Sequence, residues 1–164
     1  MTWFEASRRS SAVVHASREE VWAVLVDPAL VASMTPFVRS IEADGDHWRW
    51  DLATIPGLGV SVAPSFTVQM VFDEPERIDF QHDPPEGRRE RAAVHGSYVL
   101  REDQKGTALS IDLTTRVDLP LARMASPAVS ATMRAVLADM GRRFSARLLE
   151  HLDTTAEELP DDLS

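Results

Sequence analysis

Residues 127–152, PAVSATMRAVLADMGRRFSARLLEHL, decide how this chain is read. Val129, Met133, Val136, Leu137, Met140, Phe144 and Leu148 recur every three or four positions and so share one side of a helix, with Arg134, Arg142, Arg143 and Arg147 opposite or flanking them. In front of the run, Ser126-Pro127 reads as an N-cap followed by proline at the first helical position. At about 1.5 Å per residue such a helix is ~40 Å long, enough to lie across a whole sheet.

The sheet precedes it. Trp48, Trp50 and Leu52 alternate with His47, Arg49 and Asp51, while Phe66, Val68, Met70 and Phe72 alternate with Thr67, Gln69 and Val71, the pattern of strands with one dry face. Turn-forming stretches at 44–46, 74–76, 84–87 and 102–106 separate these from strands predicted over 77–82, 92–102 and 107–117. A strand over 10–16, carrying Ala12, Val14 and Ala16 on one face, and one starting at Phe37 bring the expected number to seven. Between those two, Ser17-Arg18-Glu19-Glu20 forms a capping box ahead of Val21, Trp22, Leu25 and Val26; Asp27-Pro28 then stops that helix and starts a second, which runs to about Met34. The expected class is α+β: a seven-stranded curved antiparallel sheet wrapped around a long C-terminal helix, with two short helices between strands 1 and 2. An apolar space between the two layers is the expected functional site.

With 164 residues the chain is expected to form one domain over 1–152, followed by a disordered acidic tail over 153–164. Asp153, Glu157, Glu158, Asp161 and Asp162 supply five charges of the net -9, so the remainder is only mildly acidic and offers no basic stripe for nucleic acid. The absence of cysteine excludes disulfides and thiolate chemistry. The N-terminus lacks the order of a signal peptide and no apolar run approaches the roughly 20 residues of a membrane span, which points to a cytoplasmic protein.

Specific residues carry a resemblance beyond element order. Val14-His15-Ala16-Ser17-Arg18-Glu19-Glu20-Val21-Trp22, then Asp27-Pro28, then Pro36-Phe37-Val38, resembles the opening signature of the START, birch-pollen-allergen-like and polyketide-cyclase-like superfamily. Gly96-Ser97-Tyr98-Val99-Leu100 followed by Gly106-Thr107-Ala108-Leu109 resembles its penultimate hairpin, and Val117-Asp118-Leu119-Pro120 with the last helix looks closest to a bacterial and plastid branch. The resemblance implies a helix-grip fold over about 10–152. It further implies a cavity between sheet and helix of the kind that holds lipids, sterols, quinones, plant hormones or polyketides; a minority of members are cyclases, hydratases or oxygenase domains. No iron-sulfur ligand set supports the oxygenase form here.

The expected ligand-binding residues are Trp48, Trp50, Phe66, Val68, Met70, Phe80, Tyr98, Leu100, Leu109, Ile111, Leu113, Met133, Val136, Met140 and Phe144. Met124, Met133 and Met140 together would give a deformable wall. By residue type alone these side chains either fill a core or line a cavity; the resemblance favours the cavity. No catalytic residue is assigned. His82, Tyr98 and Thr115 are the polar candidates on the inner face, His82 first because imidazole titrates near neutrality, although it also fits a solvated turn. No metal-ligand spacing, phosphate loop, dinucleotide fingerprint or nucleophile elbow is present, so neither metal nor cofactor is expected.

Two loops are expected, by resemblance, to ring the cavity mouth together with the start of the last helix. One is the apolar stretch 55–64, read as a lid or as an extension of its flanking strands. The other, 83–91, carries Arg88, Arg89 and Arg91, read as contacts for an anionic head group or as solvated charge. The function expected is binding or carriage of a hydrophobic or amphipathic small molecule, with transient membrane contact compatible with it. The alternatives are a cofactor-free cyclase or hydratase and a ligand-free protein-interaction module.

Overall fold

The computed structural model describes residues 2–54 and 63–159. β1 (Thr2–Val14) leads into α1 (Arg18–Leu25) and α2 (Pro28–Met34), and a meander follows: β2 (Val38–Asp44), β3 (His47–Leu52), β4 (Ser65–Asp73), β5 (Arg77–His82), β6 (Ala92–Asp103) and β7 (Gly106–Leu119). A short 3-10 turn over Arg123–Ala125 precedes α3 (Ser126–His151), and β8 (Ala156–Glu158) comes last. All pairings are antiparallel, in the order β2-β3-β4-β5-β6-β7-β1-β8. The α+β class, the curved sheet, the two short helices and the long closing helix agree with the sequence reading.

Local chemistry accounts for the helices. The Ser17 hydroxyl accepts from the Glu20 N–H at 3.2 Å, which caps α1 with two glutamates in its first turn. The Asp27 carboxylate accepts from the Leu30 N–H at 3.2 Å, and Pro28 begins α2, where its missing N–H costs nothing. The start of α3 departs from expectation: Ser126 is its first residue, Ala125 occupies the cap position, and no side chain caps it. The 3-10 turn running straight into the helix leaves Ser126 no extended position from which to cap. That turn also carries Met124 outward, 93% exposed, so it is no part of the deformable wall.

The strand count is eight rather than seven. Residues 153–159, read as the start of a disordered tail, fold back along β1, with Ala156 opposite Val14 and Glu158 opposite Ala12. His15 N–H donates to the Thr155 carbonyl at 2.9 Å, the Thr154 hydroxyl donates to the His15 carbonyl at 2.6 Å, and Lys105 reaches Glu157 at 3.2 Å. Backbone pairing with an open edge stabilises a segment that has little apolar surface, and it covers part of that edge. β1 also starts eight residues before the predicted strand, at Thr2.

The buried side chains separate into two clusters. One joins Val21, Trp22 and Leu25 with sheet residues such as Trp48, Ile78 and Leu100 and with Phe144 and Leu148 in the second half of α3. The other joins Phe4, Ala6, Val117 and Leu119 with Val129, Met133 and Leu137 in its first half. Full burial of a side chain such as Ile78 or Leu100 contributes about 1.5–3 kcal/mol, so either cluster alone is a substantial core. The half-buried Leu113 packs against both. Between them the sheet and the helix do not close.

Candidate functional site

A cavity of about 740 Å³ occupies this gap. Its wall takes Trp48, Trp50, Phe66, Val68, Met70, Phe80, Tyr98, Leu109, Ile111 and Leu113 from the sheet and Met133, Val136, Met140 and Phe144 from α3. Sheet register explains why these side chains meet. Arg8, Leu113, Gly96 and Phe80 lie in one row across β1, β7, β6 and β5, and Ser10, Ile111, Tyr98 and Ile78 lie in the next row on the same face. Gly96 is required within the first row, because a Cβ there would come within 2.0 Å of the Asp112 carbonyl oxygen and 3.0 Å of the Phe80 ring. Trp50 stacks on Phe66 with ring centroids 5.6 Å apart, and Phe80 tilts against Tyr98 at 5.2 Å.

Trp50, Tyr98, Ile111, Leu113, Val136 and Met140 are only half-buried, although strand alternation points the first four and the helical period the last two inward. An inward side chain that keeps accessible surface faces a hollow. Leu100 differs from the other expected wall residues: at 1% exposed it lies in the packed first cluster and does not line the cavity. Thr115 lines it, beside Val94.

His82 does not line the cavity. Its Nε2 lies 2.9 Å from Oε1 of Glu90, whose side chain is 1% exposed. β5 ends at His82, so β4 has no ladder partner beyond that point, and the Glu90 carboxylate takes the vacant place: Oε1 accepts from the Thr67 N–H and Oε2 from the Thr67 hydroxyl, both at 2.8 Å. Arg88 adds its charge 3.4 Å away. A carboxylate with this many donors is a structural plug that satisfies a broken sheet edge. The imidazole chosen first for proton transfer is thus committed to it. The sequence signal was present only as an acid among arginines; the sheet gap it fills is a tertiary fact.

The arginines of the 83–91 loop are similarly placed. Besides the Arg88 contact, Arg89 reaches the buried Asp118 at 3.5 Å, and no residue of this loop lines the cavity. Most of the other loop expected at the mouth, 55–62, lies outside the described residues; Pro64, at its end, is buried against the cavity. Exposed wall members Arg9, Arg142, Ser145, Ala146 and Glu158 instead gather beside the edge of β1 and the second half of α3, which is where the described cavity reaches the surface.

Polar groups on the wall are few and unevenly matched. Burial pushes the Tyr98 phenol up to about 12, because the tyrosinate would lose its hydration. The Trp50 indole N–H and Arg8 Nε are buried without a hydrogen-bond partner among the described residues. Arg8 lies ahead of the strand predicted from Ser10, within the part of β1 that the structure adds. Extending the Val14, Ala12, Ser10 alternation back through Arg8, Ala6 and Phe4 places it inward. Among the described residues no group of three or more His, Cys, Asp or Glu side chains could hold a metal ion.

The fold recurs in solved structures. A conserved protein from Geobacillus kaustophilus superposes with a TM-score of 0.65 at 16% identity, covering 91% of this chain and 98% of its own. An aromatase/cyclase from Streptomyces sp. R1128 gives 0.65 at 13% identity over 93% and 94%, and a START superfamily protein from Mycobacterium smegmatis gives 0.63 at 16% over 90% and 98%. At such identities the likeness is one of fold. Among curated proteins no sequence matches. The family model described as polyketide cyclase / dehydrase and lipid transport matches residues 5–157, nearly the whole of the fold set out above, and the chain belongs to that family.

Proposed function

We propose that the protein binds or carries a hydrophobic or amphipathic small molecule, of lipid, quinone or polyketide-like size, in the cavity between the sheet and α3. One observation carries this reading: a largely apolar hollow of about 740 Å³ divides the core into two clusters. That volume lies within the ~300–1,000 Å³ typical of small-molecule sites. The family description, which includes lipid transport, supports the same class of ligand. The residues proposed to touch the ligand are the sheet and helix residues of the wall, with Met133 and Met140 able to re-pack around different shapes.

A cofactor-free cyclase or hydratase is the second reading, favoured by the presence of Tyr98 and Thr115 on the wall. Native mass spectrometry of protein purified from its own host, followed by organic extraction, tests the first. A copurifying apolar or amphipathic compound is the expected result. Protein that remains empty and takes up no apolar compound offered to it would refute carriage.

A further inference from the structure

We propose that Arg8 receives the carboxylate of an amphiphilic ligand whose apolar body fills the cavity. This rests on the carrier reading above and adds the chemical class of the head group.

Arg8 is a cation on a wall that is otherwise mostly apolar, and its Nε is buried without a partner. Its guanidinium forms no ion pair among the described residues, whereas the two other arginines at this opening are matched, Arg9 with Asp112 at 3.1 Å and Arg142 with Asp139 at 3.0 Å. Helix α3 is shaped around it: a Cβ at Gly141 would stand 3.3 Å from Nε, so the glycine lets the guanidinium lie against the helix. A buried, unmatched guanidinium N–H is costly unless something pairs with it, and a planar carboxylate matches its fork.

Position and polarity agree. Arg8 stands where the apolar wall gives way to the exposed residues along the β1 edge, so a ligand seated tail-inward leaves its head beside the guanidinium and near water. Another unmatched polar atom on the wall, the Trp50 indole N–H, is also a donor. The Tyr98 phenol, pushed up to about 12 by burial, keeps its proton and can donate as well. A site with surplus donors calls for a ligand with oxygen acceptors, and the unmatched guanidinium calls for a negative charge that Glu158, exposed at the same opening and in no ion pair with Arg8, does not supply.

Binding of dodecanoate and of pyrenebutyrate, each beside its methyl ester, to the full chain at neutral pH tests this, by calorimetry for the first pair and fluorescence for the second. The acids are expected to bind about 10- to 100-fold more tightly than the esters, the range of a charge-assisted hydrogen bond. Arg8→Met is expected to weaken only the acids by that factor, while Arg8→Lys retains most of the preference. Equal affinity of acid and ester for the unaltered protein overturns the proposal and leaves the carrier reading standing, as does a preference that survives in Arg8→Met. Failure of all four compounds to bind overturns both. The acid-ester comparison on the unaltered chain needs no variant to fold.

Discussion

Replacing Met140 by tryptophan separates a hollow from a packed core. Met140 is half-buried on the second half of α3 and borders the cavity of about 740 Å³. If the interior were filled, the larger ring would force neighbours off their rotamers at about 1–3 kcal/mol. At roughly 2–4 °C per kcal/mol for a chain of this size, the melting temperature would fall by about 2–12 °C. In the hollow the ring enters free space. About 50 Å² of additional apolar contact at 25 cal/mol per Å² gives a gain of about 1 kcal/mol, or a rise of ~2–4 °C. Leu100→Trp supplies the contrast, since Leu100 is 1% exposed in the same sheet and outside the cavity wall; it is expected to lose stability on the packed-core scale. Scanning calorimetry reads both variants, and fluorescence titration with the methyl ester of pyrenebutyrate reads the loss of space, expected to be at least tenfold in Met140→Trp. A fall of more than about 2 °C in Met140→Trp would show that the site is occupied by side chains and would refute the reasoning.

Glu90→Ala removes the carboxylate that serves Thr67, His82 and Arg88, leaving buried donors unmatched; a loss of about 3–5 kcal/mol is expected, read as a melting temperature lower by on the order of 10 °C. A change below ~2 °C would show that the plug is not structural. Tyr98 is the sole tyrosine, so near-ultraviolet titration reports it alone. Its folded value of about 12 exceeds the ordinary value of about 10, so its contribution to stability is intact below pH ~10 and disappears as pH rises through about 12. Reversible tyrosinate formation near pH 10 in the folded protein would contradict that burial. Truncation after Leu152 strips β8 and its contacts to His15 and Lys105, with an expected cost of about 1–3 kcal/mol; an unchanged melting curve would mean that the strand is not held in solution.

The framework was legible because it is written locally. Ser17 and Asp27 announce their helices, the Trp48-Trp50-Leu52 and Phe66-Val68-Met70 alternations set the inner face, and the seven-residue apolar side of α3 sets its orientation. Three things were not legible for one shared reason: they depend on partners distant in sequence. β8 is too short to declare itself and exists because β1 offers an edge. Glu90 is buried because β5 stops at His82. Leu100 and Leu109 sit opposite each other on neighbouring strands and look alike by pattern, but only Leu109 meets the hollow. Period-two alternation identifies a face; whether the space above it is filled is decided by the path of α3.

The choice between holding a ligand and converting it turns on proton transfer. General acid-base catalysis works best when the group titrates near the operating pH. His82, the histidine considered for that role, is hydrogen-bonded to Glu90 and is not part of the cavity wall. Tyr98 faces the cavity but burial moves it to about 12, far from neutrality, so it is a poor base and a reluctant acid. What it does well is donate a hydrogen bond without giving up the proton, which is also what the Trp50 indole N–H offers. Donors of this kind orient an oxygen and would stabilise charge developing on it, but they do not themselves move a proton near neutrality. The polar side chains that the sequence singled out on this wall, Tyr98 and Thr115, thus supply hydrogen bonds rather than a base, which supports the carriage proposed above. Detection of a cyclised or dehydrated product from a polyketide-like substrate, lost in Tyr98→Phe while binding persists, would reverse that conclusion.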